Sequence, residues 1–328
     1  MEKVDNLDVK DRKLLYYLSQ DARYSDTQLA GKVGLSKNSI KYRVERLHKV
    51  GIIEKFTATI NLGSLGFNTY TILLRFNENI YENMPIIDYF KNHEFISWVV
   101  SLSGQWDLFI EIIAKDSNHL SEIIEKMLNH FQDNLNTYKI FSSKDTLRVE
   151  HLIEDVYNDL KLQPLEIKER VNSVYKIDKI DKKILNLLVE NSSLSFVEIA
   201  TQLKTTTDVI RYRIKNLIDK GIIIKFFPEI DLKKLGYTDY IYTIKLKDIS
   251  LKKFNELKKE VSNDTHLKYA FVDINSLQLI LNCAFKTTED VDIFTRNIRS
   301  KYHDIIENQE YLIVKEQILF NLFPKGLL

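Results

Sequence analysis

Residues 35–49, LSKNSIKYRVERLHK, hold side chains suited to meeting a polyanion. At helical spacing Ile40, Val44 and Leu47 share one face, leaving Lys37, Asn38, Lys41, Tyr42 and Glu45 on or beside the other, with Arg43, Arg46 and Lys49 at its flanks and Ser36 and Ser39 at its start. Lysine and arginine neutralise phosphates, asparagine bonds adenine edges, and a helix of this diameter enters the major groove of duplex DNA. The competing reading is an amphipathic helix whose basic face is merely solvated. Metal chemistry is not expected: no two histidines fall at a ligand spacing, and a single cysteine, Cys283, excludes a multi-cysteine zinc site as well as an intrachain disulfide. No cofactor is expected either.

The same stretch returns at residues 204–220, KTTTDVIRYRIKNLIDK, aligned without a gap at an offset of 170. Ile40 meets Ile210, Tyr42 meets Tyr212 and Arg43 meets Arg213, and Leu15, Leu18, Ala30, Leu47, Gly51, Phe56 and Gly66 also find identical partners. Solenoid units run to ~50 residues at most, so this period marks a duplicated module rather than a stack of small repeats. The second copy offers Thr206, Thr207, Asp208, Arg211, Tyr212, Arg213 and Lys215 at the corresponding face. Asp208 suits the positive end of its own helix, repels phosphate, and accepts only from a base donor such as cytosine N4.

Those side chains need a scaffold, and the flanking sequence supplies one in each copy. Asp8 caps a first helix with Asp11 three residues on, SDTQLAGKV reads as a short second helix ending at Gly34, and Ser36 caps the third. Gly51 stops the third helix, and IIEKFTATI reads as a strand, the wing of a winged helix-turn-helix. The second copy repeats this with IDKKILNLLVE, FVEIATQL and TTDVIRYRIKNLIDK. Beyond each wing the pattern becomes β-α-β-β-α-β, from NTYTILLRF to TYKIFSSKDTLRVE and from TDYIYTIKL to EYLIVKEQILF, which predicts a ferredoxin-like unit. The expected architecture is α+β. Winged helix-turn-helix domains occupy 1–66 and 177–236, βαββαβ domains occupy 67–153 and 237–328, and a linker covers 154–176. Pro164 is the linker's only strong breaker, so an ordered spacer is expected.

Composition agrees with a packed protein: 44% hydrophobic, 11% aromatic, nine glycines and four prolines leave little material for long flexible tethers. No run approaches the ~18 apolar residues of a membrane span, and MEKVDNLDVK lacks a signal-peptide core, so a cytoplasmic, nucleoid-associated protein without membrane contact is expected. Net charge is +1 overall but segregated. Residues 7–66 carry eleven Lys and Arg against six Asp and Glu, and residues 177–236 carry eleven against eight, whereas residues 67–165 carry eight against fifteen. Both copies of the basic helix therefore lie in basic blocks.

Between the second and third strands of the first βαββαβ unit lies Gly104, Gln105, Trp106 and Asp107. One reading is a hairpin turn that needs a positive φ and a polar tip. The other is a ligand site, where amides around Gly104 hold a carboxylate and Asp107 pairs with an amine, contacts that suit an α-amino acid. The second copy has Ile274, Asn275, Ser276 and Leu277 there and cannot make the same contacts.

A winged helix-turn-helix, the stretch INLGSLGF or IDLKKLGY, and a βαββαβ unit with a GxxD turn together resemble the Lrp/AsnC family of regulators, twice over. GLSKNSIKYRVERLHKVGII is similar to the family's recognition helix, and SLSGQWDLFIEI to its effector-domain hairpin. The resemblance implies transcriptional regulation, double-stranded DNA as partner, pairing through the βαββαβ domains, and an amino acid or other small-molecule effector near Gly104, Gln105, Trp106 and Asp107. A tandem chain departs from the single module, so an intrachain pseudo-dimer stands beside a homo-oligomer. Siroheme decarboxylases resemble the same fold, but propionate-bearing tetrapyrroles call for Arg or His, which both hairpins lack; a non-enzymatic role is expected. A DNA-architectural protein of low specificity is the third reading.

Overall fold

The computed structural model describes residues 7–80, 84–164, 173–247, 251–273, 275–276 and 278–328. Residues 165–172 of the expected linker, and Ile274 and Leu277 opposite Gly104 and Asp107, lie outside the described residues. The first module runs α1 (Val9–Gln20), α2 (Asp26–Val33), α3 (Lys37–Lys49), β1 (Ile53–Ile60), β2 (Asn68–Phe76), α4 (Met84–Asn92), β3 (Ile96–Ser103), β4 (Leu108–Ala114), α5 (Ser117–Phe131) and β5 (Leu135–Val149). The second repeats it with α6 (Lys179–Glu190), α7 (Phe196–Gln202), α8 (Thr207–Asp219), β6 (Ile223–Ile230), β7 (Thr238–Leu246), α9 (Leu251–Ser262), β8 (Leu267–Asp273), β9 (Leu279–Phe285), α10 (Thr288–Tyr302) and β10 (Ile306–Phe320). The fold is α+β, helix-turn-helix elements followed by ferredoxin-type units.

Local chemistry sets the helix ends. Asp8 with Asp11 and Ser25 with Gln28 form reciprocal capping boxes at α1 and α2, and Ser36 caps α3. Gly34 closes α2 at φ 71°, a left-handed conformation that a side chain would strain. Ser195 with Glu198 repeats the box at α7.

The chain forms two compact units, and each draws on both modules. One comprises residues 1–55, 143–167 and 227–313. Its sheet is antiparallel in the order β10, β7, β9, β8, β5, using residues 306–313 of β10 and 143–149 of β5. Alternate residues of β7, Tyr240, Tyr242, Ile244 and Leu246, point into a core shared with Phe254 and Leu257 of α9 and Phe294 and Ile298 of α10. Residues 151–164 pack within this unit: Leu152, Ile153 and Tyr157 are buried. Arg12 of α1 donates from Nη1 and Nη2 to the two carboxylate oxygens of Asp159, at 2.6 and 3.0 Å. Tyr237 donates its hydroxyl to Asp155 at 2.7 Å. This described stretch is thus ordered by specific polar contacts.

The other unit comprises residues 56–142, 168–226 and 314–328. Here the order is β5, β2, β4, β3, β10, with residues 135–142 of β5 on β2 and the far half of β10 alongside β3. Ile72, Leu74 and Phe76 of β2 meet Ile86 and Phe90 of α4 and Leu120, Ile124 and Phe131 of α5. The i, i+4, i+11 spacing of the α5 residues puts them on one stripe, and each such side chain, fully buried, contributes about 1.5–3 kcal/mol. The strand read as a wing, β1, pairs with β6 as a two-stranded ladder. Among the described residues no helix is long and apolar enough to cross a membrane.

Candidate nucleic-acid interface

The basic helix α3 is seated by two carboxylates of α1. Asp11 is 1% exposed, and a buried carboxylate is tolerable only when paired and hydrogen-bonded. Arg43 Nη1 donates to Asp11 Oδ1 at 2.7 Å and to Asp8 Oδ2 at 2.8 Å, and Arg46 Nη2 donates to Asp11 Oδ2 at 2.5 Å. Hydrogen bonds to Asp8 and Asp11 raise the already high pKa of Arg43. Arg43 and Arg46, placed by sequence at the flanks of the DNA face, are thus engaged in holding α3 against the N-terminus of α1.

What α3 leaves open is its N-terminal half. Lys37, Asn38, Lys41 and Tyr42 are exposed, Tyr42 at 67%. Ser36 accepts from the Ser39 amide at 3.2 Å, and the two hydroxyls lie 2.9 Å apart, so these serines set the start of the helix. The first turn of α3 contains no acid.

In the second head Arg213 Nη1 donates to Asp178 and Asp181, both at 2.8 Å, repeating the seat. Arg46 has Asn216 as its counterpart, and Asp181 keeps a more open side chain than Asp11, 14% against 2% exposed. Thr206 caps α8 through the Val209 amide at 3.4 Å. Asp208, Arg211, Tyr212 and Lys215 are exposed and Thr207 is half-buried. Arg211 donates to Asp208 at 3.0 Å, so this face carries an acid tied to its base.

The seat has a pH signature. The Asp181 amide above all, and after it Arg213, holds the Asp178 carboxyl below its ordinary 3.8, against the opposing effect of burial. A depressed folded pKa means the contribution is fully present above the unfolded value near 3.8 and is lost as pH falls through the lower folded one. The expected result is that α6 and α8 hold their amide-exchange protection down to about pH 4 and lose some of it below. Asp178→Asn should flatten that acid dependence; an unchanged profile would count against the seat.

At the hairpin, Gly104 sits at φ 127°, a conformation that favours glycine. Asp107 Oδ2 accepts from the Phe76 amide at 2.7 Å, its own amide donates to Leu74 O at 2.9 Å, and its carbonyl accepts from Leu102 at 2.8 Å. Asp107 therefore ties the β3–β4 turn to β2. Asp107→Ala strips a part-buried amide of a charged acceptor, a loss of about 1.5–3 kcal/mol, to be read as lost hydrogen-exchange protection at the Phe76 amide with no added ligand. Gln105 is exposed and Trp106 half-buried beside it. In the second module Asp273, 1% exposed, accepts from the Ser276 amide and hydroxyl at 2.9 and 2.5 Å.

Absent from the site as read by sequence are Asp8, Asp11, Asp178 and Asp181, which do the seating. The signal that marks them is the 170 offset itself: it pairs Asp8 with Asp178 and Asp11 with Asp181, just as it pairs Arg43 with Arg213. Charges kept on two helices in both copies are what a shared ion-pair seat requires.

Comparison with known proteins matches residues 7–48 to the AsnC-type helix-turn-helix domain and residues 177–224 to a winged helix-turn-helix DNA-binding domain. An uncharacterised HTH-type transcriptional regulator of Pyrococcus furiosus is 34% identical over 126 residues, 38% of this chain and 83% of the relative. The HTH-type transcriptional regulator LrpA of Pyrococcus horikoshii is 32% identical over 124 residues, 37% of this chain and 86% of the relative. This chain is about twice the length of such relatives. Among solved structures, the siroheme decarboxylase NirDL matches with a TM-score of 0.64 over 97% of this chain and 96% of its own, at 12% identity. That identity speaks for a shared fold alone.

Proposed function

We propose, for a chain that belongs to the Lrp/AsnC family of HTH-type transcriptional regulators, that it binds duplex DNA sequence-specifically through the exposed faces of α3 and α8. The observation that carries this reading is Lys37, Asn38 and Lys41 standing exposed on a helix whose flanking arginines are already seated, with no ion-pair partner among the described residues. Free cations and an amide at the start of a helix suit phosphates and base edges, while the seat keeps the helix rigid. Residues 1–66 and 177–236 serve as DNA-reading domains, 67–153 and 237–328 as effector and oligomerisation domains, and 154–176 as their spacer. The setting is the cytoplasm, at the nucleoid. Binding to a selected duplex and to random duplex over a salt series tests it: a regulator discriminates by ~10³ or more, whereas an architectural protein binds both alike.

The functional unit is one chain acting as its own pseudo-dimer, supported by compact units that each draw strands from both modules. Light scattering at low micromolar concentration is expected to give a 38.6 kDa species; a stable species of twice that mass or more favours a homo-oligomer. An amino-acid effector at Gly104, Gln105, Trp106 and Asp107 is the finer assignment, with the second oxygen of Asp107 left for an amine. The Phe76 bond to Asp107 favours the turn role, so the assignment stands only if an amino acid raises the melting temperature and Gln105→Ala abolishes that rise.

The enzyme reading keeps one specific support, the fold shared with siroheme decarboxylase NirDL. The hairpins of this chain lack the Arg and His that propionates call for, which favours a regulator without catalysis. A tetrapyrrole absorption band in the purified protein would reverse that preference.

A further inference from the structure

We infer that the second head is a guanine reader, and that Asp208 and Phe196 are the positioning residues that pre-orient its Arg211. The inference rests on the DNA-binding reading above and asks which base each head selects. Arg211 is held from two directions. Its Nη1 donates to Asp208 Oδ1 at 3.0 Å, and its guanidinium carbon lies 5.7 Å from the centroid of the Phe196 ring. Both partners of the ion pair are open to solvent, Arg211 at 60% and Asp208 at 90%, and the hydrogen bond to Asp208 uses only Nη1 of the five-donor fork. Guanidinium is planar with five donors, and its fork matches guanine O6 and N7 together.

The first head has no such device. The offset places Asp26, Asn38 and Lys41 where the second head has Phe196, Asp208 and Arg211. Among the described residues neither Asn38 nor Lys41 has a side-chain hydrogen bond or ion pair. Lys41 is a flexible point charge fit for phosphate, and Asn38 is matched to adenine N6 and N7. A phosphate role for Arg211 is disfavoured, because Asp208 at its side repels the backbone anion. Asp208 also accepts only from a donor, so a cytosine N4 beside the guanine is tolerated and acceptor edges are not. An exposed ion pair is individually weak, so the clamp biases the orientation of Arg211 without locking it. The consequence is an operator whose two halves differ in kind: an adenine-containing half for α3 and a guanine-containing half for α8.

The test uses the full-length chain. Selection from random duplex DNA defines the two halves, and competition binding then compares the selected duplex with one carrying adenine in place of the guanine. Wild type is expected to lose on the order of tenfold or more, the discrimination of one bidentate contact. Arg211→Ala should bind both duplexes alike. Asp208→Asn should narrow the discrimination severalfold while tightening binding to random duplex, two opposite changes that simple neutralisation of Arg211 does not give. The inference is overturned if no guanine is enriched, or if Asp208→Asn strengthens both duplexes by one common factor. Failure of wild type to bind any duplex is a separate outcome: it removes the DNA reading itself, and the inference with it.

Discussion

Asp11→Ala is expected to destabilise the first head by about 3 kcal/mol, more than any other single change in the interface. The carboxylate is 2% exposed and receives Arg43, Arg46 and the Asp8 amide, so its loss breaks two ion pairs and half of a capping box together. Removing one partner of a fully buried pair costs about 3–5 kcal/mol, because an uncompensated charge remains inside. Here Arg43 and Arg46 keep 22% and 33% of their side chains in water, which puts the cost at the lower end. Asp181→Ala should cost less, since Asp181 is more open and is bonded by Arg213 alone among the seat's arginines. A chain of several cooperative parts has no single unfolding free energy, so the loss is best read by hydrogen exchange at α1 and α3. Equal protection losses in the two variants would remove the distinction between the seats.

Much of this architecture is legible in the sequence because helix and strand periods, caps and breakers are local. The ends of α1, α2 and α3 follow from Asp8, Ser25, Gly34 and Ser36, each of which acts on backbone groups within four residues. Strand alternation identifies β5 and β10 as strands but does not name a partner. Each runs for fifteen residues and serves one unit with its first half and the other unit with its second. Register and partner are properties of surfaces that meet far apart in sequence, and no local signal carries them. The interface shows the same limit. Arg43 and Lys41 look alike as cations on one helix, yet the first is claimed by an acid 32 residues away and the second is not. Helical periodicity sorts side chains by face; only the packed structure shows which charges are already satisfied.

The sorting of charges leads to the second large effect, the joint replacement Lys37→Ala and Lys41→Ala. Both lysines are exposed and neither is engaged in the seat, so their removal should leave the fold of the head intact. If each meets one phosphate, each contributes about 0.9 to the slope of log affinity against log salt. The slope should therefore fall by about two, and affinity at 0.1 M salt by roughly fifty- to a hundredfold, for cognate and random duplexes alike. Thr207→Ala with Arg211→Ala should instead leave the slope nearly unchanged and act on discrimination, since the second head has one base at these positions and that base is tied to Asp208. Titrations of fluorescent duplexes at four salt concentrations separate the two outcomes. A double lysine variant with an unaltered slope would mean that α3 does not lie against the phosphate backbone, whatever its charge.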